Sequence, residues 1–370
     1  MPTSNSGTRH VSLFVPELLS GLRFLKDIPK QDVPELPATQ LLLSRATQKH
    51  GGFEDFHDGV CFLTGITSTK HQDLPIAAIT VATENKLTSD SNLDYFIFAE
   101  PVVMKADRDS VVLLESLKPD LSLCGSSSDL SNKLTRTESE TLVTEINQHF
   151  CDEPWKLHLT KNAAWYFILD SETSISTTNI AKVLLQNTKT FIPKGESARY
   201  WRKIINEIEM LLFASTVNAK RLEQNKTTVT SLWLWGGGKI PDKSNAENSD
   251  MIWGENDFLQ SVALFVDIPF KFITQQSVTE LIKVEDFKHV VIVNTILKKH
   301  WQQQDLYSWL KALKELELNL LEPLLNSLRK KRIDTLILYQ DKKEYFRITR
   351  KNIKSWWKPV KSLKTLSELL

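Results

Sequence analysis

The stretch Ser231-Leu232-Trp233-Leu234-Trp235-Gly236-Gly237-Gly238-Lys239-Ile240-Pro241 decides how the rest of the chain is organised. Alternating Leu and Trp fit a pleated, covered strand, and Trp233 and Trp235 carry enough apolar area to anchor a core. Three glycines then permit positive φ or the close approach of another group, and Pro241 stops the strand from resuming. The spacing predicts a short buried strand running into a glycine-only turn. Open α/β sheets gather ligands at such strand ends, and the amides of Gly236, Gly237 and Gly238 are suited to an anion-holding nest. The motif has no Lys-Ser ending of a P-loop and no second glycine at dinucleotide spacing, so a tight turn without a ligand is the plainer reading.

Working outward, Ser197 to Leu222 carries Trp201, Ile204, Ile205, Ile208, Leu211, Leu212 and Val217 at three- and four-residue spacing. That spacing predicts one long amphipathic helix delivering the chain to the tryptophan strand. Beyond it, Ser261–Ile268 (SVALFVDI) and His289–Leu297 (HVVIVNTIL) read as doubly covered strands. Asp305 caps a helix to about Lys331, and Thr335–Tyr339 is the next strand. Alternating helices and strands predict an α/β fold, a mostly parallel sheet covered by helices that includes the tryptophan strand. Upstream, a helix is expected over Ala38–Lys49. Strands are expected at Leu74–Ala82, Leu93–Met104, Ser110–Leu117, Trp155–Leu159 and Ala164–Leu169, and Thr137-Glu138-Ser139-Glu140 fits a capping box opening a helix to Phe150. Residues 70–170 thus read as a smaller α+β unit, residues 1–69 and 171–346 as core with a polar tail at the start, and 347–370 as a basic aromatic segment.

With 370 residues the chain has room for about two domains, and a net charge of +1 gives no global field towards nucleic acid or lipid. Cys61, Cys124 and Cys151 are odd in number and widely spaced, which suits a reducing, cytoplasmic setting without disulfides. No run approaches the ~18 apolar residues of a membrane span. His50, Glu54, Asp55, His57, Asp58 and His71 gather acids and imidazoles, but no tight ligand pair repeats, and a loop leading into a short solvated helix is favoured. The tail's Arg347, Arg350, Lys351, Lys354, Trp356, Trp357, Lys358, Lys361 and Lys364 fit phosphate backbones or anionic lipid. The preferred reading there is an amphipathic segment whose tryptophans dock on the body, which leaves nucleic acid disfavoured.

The run Glu207–Pro241 resembles the bacterial regulatory protein RpfE family, through Asn206, Glu207, Met210, Leu211, Val217, Asn218, Arg221, Ser231, Leu232, Trp233, Trp235, Gly236, Gly237, Gly238 and Pro241. It is also similar to archaeal-type cofactor-independent phosphoglycerate mutases of the alkaline-phosphatase-like superfamily. That resemblance implies an α/β sandwich with residues 70–170 as an inserted domain. It also implies two divalent metals (Mn or Mg), a serine or threonine nucleophile and a phosphoenzyme. Such chemistry needs carboxylates and imidazoles holding ions ~4 Å apart. Here the only Asp-Gly is Asp58-Gly59, no Asp-His occurs, and only His158, His289 and His300 lie beyond residue 150. Within the RpfE-like pattern, Thr230, Ser215, Val103 and Glu100 replace its Asn, two His and Asp. The expectation is a mutase-like protein without catalytic residues, metal ligands or cofactor. It would bind a small phosphorylated metabolite or a protein partner through Asn218, Arg221, Ser231, the three glycines and Lys239, with Trp233, Trp235 and Pro241 as the structural core of the motif. The alternatives are an active mutase or phosphatase with rearranged ligands, and a protein binding nucleic acid or a membrane surface through the basic tail.

Overall fold

The computed structural model describes residues 8–53, 55–66, 74–85, 95–107, 110–118, 132–241, 249–273, 287–302, 305–340 and 343–369. The chain divides into two compact units, Met1–Ile66 with Ser244–Leu370, and Thr67–Lys243. The first unit opens with β1 (His10–Phe14), α1 (Leu18–Phe24), α2 (Pro37–Arg45), β2 (Thr47–His50) and α3 (Phe56–Leu63). The second contains α4 (Ile76–Asn85), β3 (Tyr95–Asp107), β4 (Ser110–Ser116), α5 (Arg136–His149), β5 (Trp155–Leu159) and β6 (Trp165–Leu169). It closes with α6 (Ala198–Ala214), α7 (Thr216–Glu223) and β7 (Ser231–Gly238). The chain then returns to the first unit with β8 (Met251–Gly254), α8 (Asp257–Phe265), β9 (Phe270–Phe272), β10 (His289–Val293) and α9 (Ile296–Gln302). It ends with α10 (Leu306–Leu316), α11 (Glu322–Arg329), β11 (Thr335–Gln340), β12 (Glu344–Thr349), α12 (Arg350–Ile353) and α13 (Leu363–Leu369).

The first unit has the expected α/β architecture, a mostly parallel sheet ordered β2-β12-β11-β1-β10-β8-β9. Strands β11, β1, β10, β8 and β9 run parallel, and β12 and β2 add an antiparallel edge. Side chains alternate across β1. Val11 and Leu13 enter a core shared with Leu313, Leu320, Leu324 and Leu336. Phe14 instead meets Phe53 and Phe56, with ring centroids 4.6 and 6.1 Å away. A π-helical turn at Glu317–Leu321 joins α10 to α11. Its buried Glu317 accepts from the amides of Ala38 (2.5 Å) and Thr39 (2.9 Å) and the Thr39 hydroxyl (2.7 Å), satisfying the start of α2.

The second unit is a five-stranded antiparallel sheet ordered β4-β3-β6-β5, with β7 also paired to β3. Leu142 and Ile146 of α5 and Trp201, Ile204, Ile208 and Leu212 of α6 pack on Ile97, Phe167, Leu232 and Leu234 of this sheet.

This placement corrects the expected home of the tryptophan strand. It lies antiparallel in the smaller unit, which reaches Lys243 instead of ending at residue 170. Period-two alternation is the same for both strand types, and the partner, β3, lies over a hundred residues upstream. Two expected strands are helices. LPIAAITVA forms most of α4, where Thr80 and Thr83 hydroxyls donate to Ile76 O (2.9 Å) and Ile79 O (3.1 Å). SVALFVDI falls on α8, capped by Asn256 and buried at Leu259, Val262 and Ala263 with helical spacing. Short apolar runs do not distinguish a strand from a buried helix. The long helix ending at Leu222 breaks at Ser215, whose extended backbone and hydroxyl cap α7. The helix over Ala38–Lys49 ends at Arg45, and Thr47–His50 is strand β2. The capping box belongs to Thr135 and Glu138, two residues before the expected pair. The tail's tryptophans do not dock: Trp356 and Trp357 are 82% and 65% exposed, while Leu363 and Leu366 are buried. The polar first seven residues, Glu54, His71 and Cys124 lie outside the described residues.

Candidate functional site

The glycines form the end of β7, where a free turn was expected. Gly236 has φ +63°, at the point where the β3–β7 register shifts between Phe96 and Phe98, so its freedom serves a β-bulge. All three glycines are buried, and Gly236 and Gly238 lie beneath the start of α4 and the residues leading into it. A Cβ on Gly238 would stand 2.6 Å from Pro75 Cβ, and one on Gly236 would stand 3.2 Å from Ile76 Cβ. Gly237 lies close to the Tyr95 hydroxyl, 3.0 Å from where its Cβ would be. The absent side chains let the chain lie flat on the strand.

The polar residues singled out around this strand are tied into the framework. Asn218 is buried and clamps α7 to the strand entry. Its Nδ2 donates to Leu212 O (2.7 Å) and Val229 O (2.8 Å), and its Oδ1 accepts from the Val229 amide (2.9 Å). Arg221 is 1% exposed. Nε donates to Thr227 O (2.7 Å), Nη2 to Asn132 O, and Nη1 to both Glu138 oxygens (3.0 and 3.1 Å) and Lys133 O (3.4 Å). Burial pushes the Glu138 carboxyl up, but the Thr135 amide and hydroxyl and the Arg221 guanidinium outweigh it and hold it below the ordinary value. Lys239 pairs with Glu172 at 2.9 Å, both about half exposed. Trp233 donates to Thr178 O (2.7 Å), Trp235 to Glu100 Oε2 (3.2 Å), and Pro241 follows the strand end.

Ser231 differs, because it opens onto a cleft of ≈ 440 Å³ within the second unit. Thr230, Ser231 and Trp233 line it from the strand, Arg202, Asn206 and Glu209 from α6, and Met104 and Ile192 add apolar wall. The Ser231 hydroxyl donates to Glu209 Oε1 at 2.6 Å. Thr230 Oγ1 accepts from the Met104 amide at 2.6 Å, which fixes the strand pairing at the cleft floor. Arg202 is the cleft's one cation and Glu209 its one carboxylate among the described lining residues. The structure thus brings Ser231 and Trp233 together with Arg202, Asn206 and Glu209, and leaves Asn218, Arg221 and Lys239 in structural bonds. Sequence reading missed Arg202 and Glu209. Their signal was a polar row, 202-206-209, at helical spacing beside the apolar stripe of α6.

In the first unit, the carboxyl ends of β1 and β11 carry rings. Phe14 and Tyr339 both pack on Phe53, Tyr339 with centroids 5.7 Å away, and Lys298 sits 4.2 Å over Phe56. Asp58-Gly59 lies inside α3, where Asp55 accepts from the Asp58 amide (3.0 Å) and Gly59 sits against Phe53 and Phe14. His300 lies in α9. Among the described residues no group of three or more His, Cys, Asp or Glu is placed to hold a metal ion. Among the described residues, no helix is long and apolar enough to cross a membrane.

No protein-family model matches the chain. It is 31% identical over 51 residues to the 2,3-bisphosphoglycerate-independent phosphoglycerate mutase of Methanosarcina mazei, covering 14% of this chain and 13% of the relative. It is 36% identical over 56 residues to the probable enzyme of the same kind in Geobacter sulfurreducens, covering 15% of this chain and 14% of the relative. These matches are weak homology to cofactor-independent phosphoglycerate mutase over a small share of the relatives' length. The fold is similar to that of the PH0037 protein from Pyrococcus horikoshii, with TM-score 0.51 and 9% identity over 93% of this chain and 88% of that one. A cofactor-independent phosphoglycerate mutase from Thermoplasma acidophilum aligns with TM-score 0.45 and 10% identity over 98% of each chain. The RpfE resemblance rests on its motif residues alone.

Proposed function

We propose that this chain is an alkaline-phosphatase-like, phosphoglycerate-mutase-like protein that works by binding and carries out no phosphoryl transfer. Its ligand in this reading is a small phosphorylated or otherwise anionic metabolite, and its role is regulatory. The observation that carries the non-catalytic part is the set of aromatic rings at the ends of β1 and β11. Two-metal transfer needs converging carboxylates and imidazoles to hold two cations at short separation, and apolar rings fill these strand ends instead. The weak homology to the mutases supports the family part of the reading.

The binding part rests on the second-unit cleft. An apolar wall with a few convergent polar groups suits a small ligand. Arg202 supplies the charge-assisted donor for an anionic group and the Asn206 amide a neutral one, while the Ser231 hydroxyl, its proton given to Glu209, can accept from a ligand hydroxyl. Glu209 sets the Ser231 hydroxyl's direction. A thermal-shift screen of 3-phosphoglycerate, other phosphorylated metabolites and inorganic phosphate tests this. The expected outcome is a concentration-dependent rise in Tm that Arg202→Gln abolishes without changing the unliganded Tm. A flat response across the screen refutes ligand binding.

A further inference from the structure

Trp356 and Trp357 are adjacent, largely exposed, and meet edge to face with ring centroids 6.3 Å apart. Val360, three residues on, is 44% exposed. Leaving two indoles and a valine in water is costly, and an exposed apolar cluster of this kind marks a surface that meets something apolar. The segment is fixed in this display from behind. Ile353 and Leu363 are buried on either side of it. Arg45 donates from Nη1 to Ile353 O (2.5 Å) and from Nε to Lys358 O (3.0 Å), and the Lys361 amide donates to Ser44 Oγ (2.9 Å). The backbone is held by α2 while the rings stay outside.

Charge identifies what the surface fits. Between Tyr345 and Ser367 the chain has two arginines and five lysines and no acid, on a protein whose net charge is only +1. Lys351, Lys354, Lys358 and Lys361 are exposed. We propose that this segment docks on an anionic phospholipid bilayer, with Trp356, Trp357 and Val360 entering the headgroup layer and the lysines meeting lipid phosphates. Indoles have an apolar body and a polar N–H, which suits them to that layer, and four to eight basic residues beside an apolar anchor give affinity for anionic lipid. Single-stranded nucleic acid fits less well. Successive stacked bases need ring faces lying alike, whereas these two planes stand at 81° and Val360 offers no ring.

Sedimentation of the full chain with phosphatidylcholine vesicles, with and without phosphatidylserine, tests the proposal. Binding is expected only with phosphatidylserine present, falling as salt rises. Trp356→Ala with Trp357→Ala is expected to weaken it at least about tenfold. Each of Lys354→Gln and Lys358→Gln is expected to weaken it about fivefold. Unchanged thermal melting of each variant confirms that the fold is intact. Failure of the parent chain to bind anionic vesicles, undiminished binding by the tryptophan variant, or tighter retention on a single-stranded oligonucleotide than on vesicles each overturns the proposal.

Discussion

Replacing Arg221 by Met separates a structural role from a ligand-binding one at the residue where the two readings differ most. Arg221 is 1% exposed and donates to Thr227 O, Asn132 O, Lys133 O and both oxygens of Glu138. Met fills most of the volume but donates nothing. Glu138 keeps its bonds from the Thr135 amide (2.7 Å) and hydroxyl (2.9 Å), so its loss is partial. Thr227 O and Asn132 O lose charge-assisted donors, at ~1–3 kcal/mol for each carbonyl left buried and unpaired. With the weakened carboxylate, the total is ~3–5 kcal/mol, the range for breaking one side of a buried ion pair. Because Asn218 binds Val229 on the same strand entry, the damage should spread into β7. Hydrogen exchange of a peptide spanning residues 229–238 reads this directly, with protection falling roughly 10²–10⁴-fold where local opening follows the lost stability. Protection unchanged within a factor of five, together with lost affinity for a phosphorylated ligand, would refute the structural assignment.

Gly238→Ala should cost ~1–3 kcal/mol in denaturant unfolding, because its Cβ meets Pro75 Cβ at 2.6 Å and Cα at 3.0 Å, and backbone must move. Equal stability would mean that the chain ahead of α4 does not rest on the strand. Gly59→Ala should cost a similar ~1–3 kcal/mol in the first unit, its Cβ reaching 2.6 Å from Phe53 and 2.7 Å from Phe14. A stabilising effect there would contradict the packed rings over β1. Glu138 is held below its ordinary value in the fold, so its contribution is complete above about pH 4.5 and is lost as pH falls through the folded value. Glu138→Gln should therefore be destabilised at pH 7 and approach the parent in acid, and a gap that widens on acidification would reverse the sign.

The sequence made the tryptophan strand legible as a strand, and α5, α6, α10, β3, β5, β6, β10 and β11 as elements, because their apolar spacing is long or strictly periodic. Its sheet was not legible. The choice between parallel and antiparallel neighbours is made by β3, and nothing local to Ser231–Gly238 encodes it. SVALFVDI and LPIAAITVA misled because β-branched residues on a fully covered helix look like a buried strand. At the site, Ser231 and Trp233 were legible from the motif. The buried bonds of Asn218 and Arg221 depend on Asn132, Glu138 and Val229, which are distant in sequence or polar in ways local pattern does not rank. Arg202 and Glu209 were overshadowed by the apolar stripe beside them.

The central claim is a mutase-like fold without mutase chemistry, and a turnover assay tests it most directly. The full chain is incubated with 3-phosphoglycerate and added Mn²⁺, and 2-phosphoglycerate is followed by phosphorus NMR. The account predicts no conversion above the protein-free control. Conversion that requires the protein and disappears on adding a chelator would contradict it.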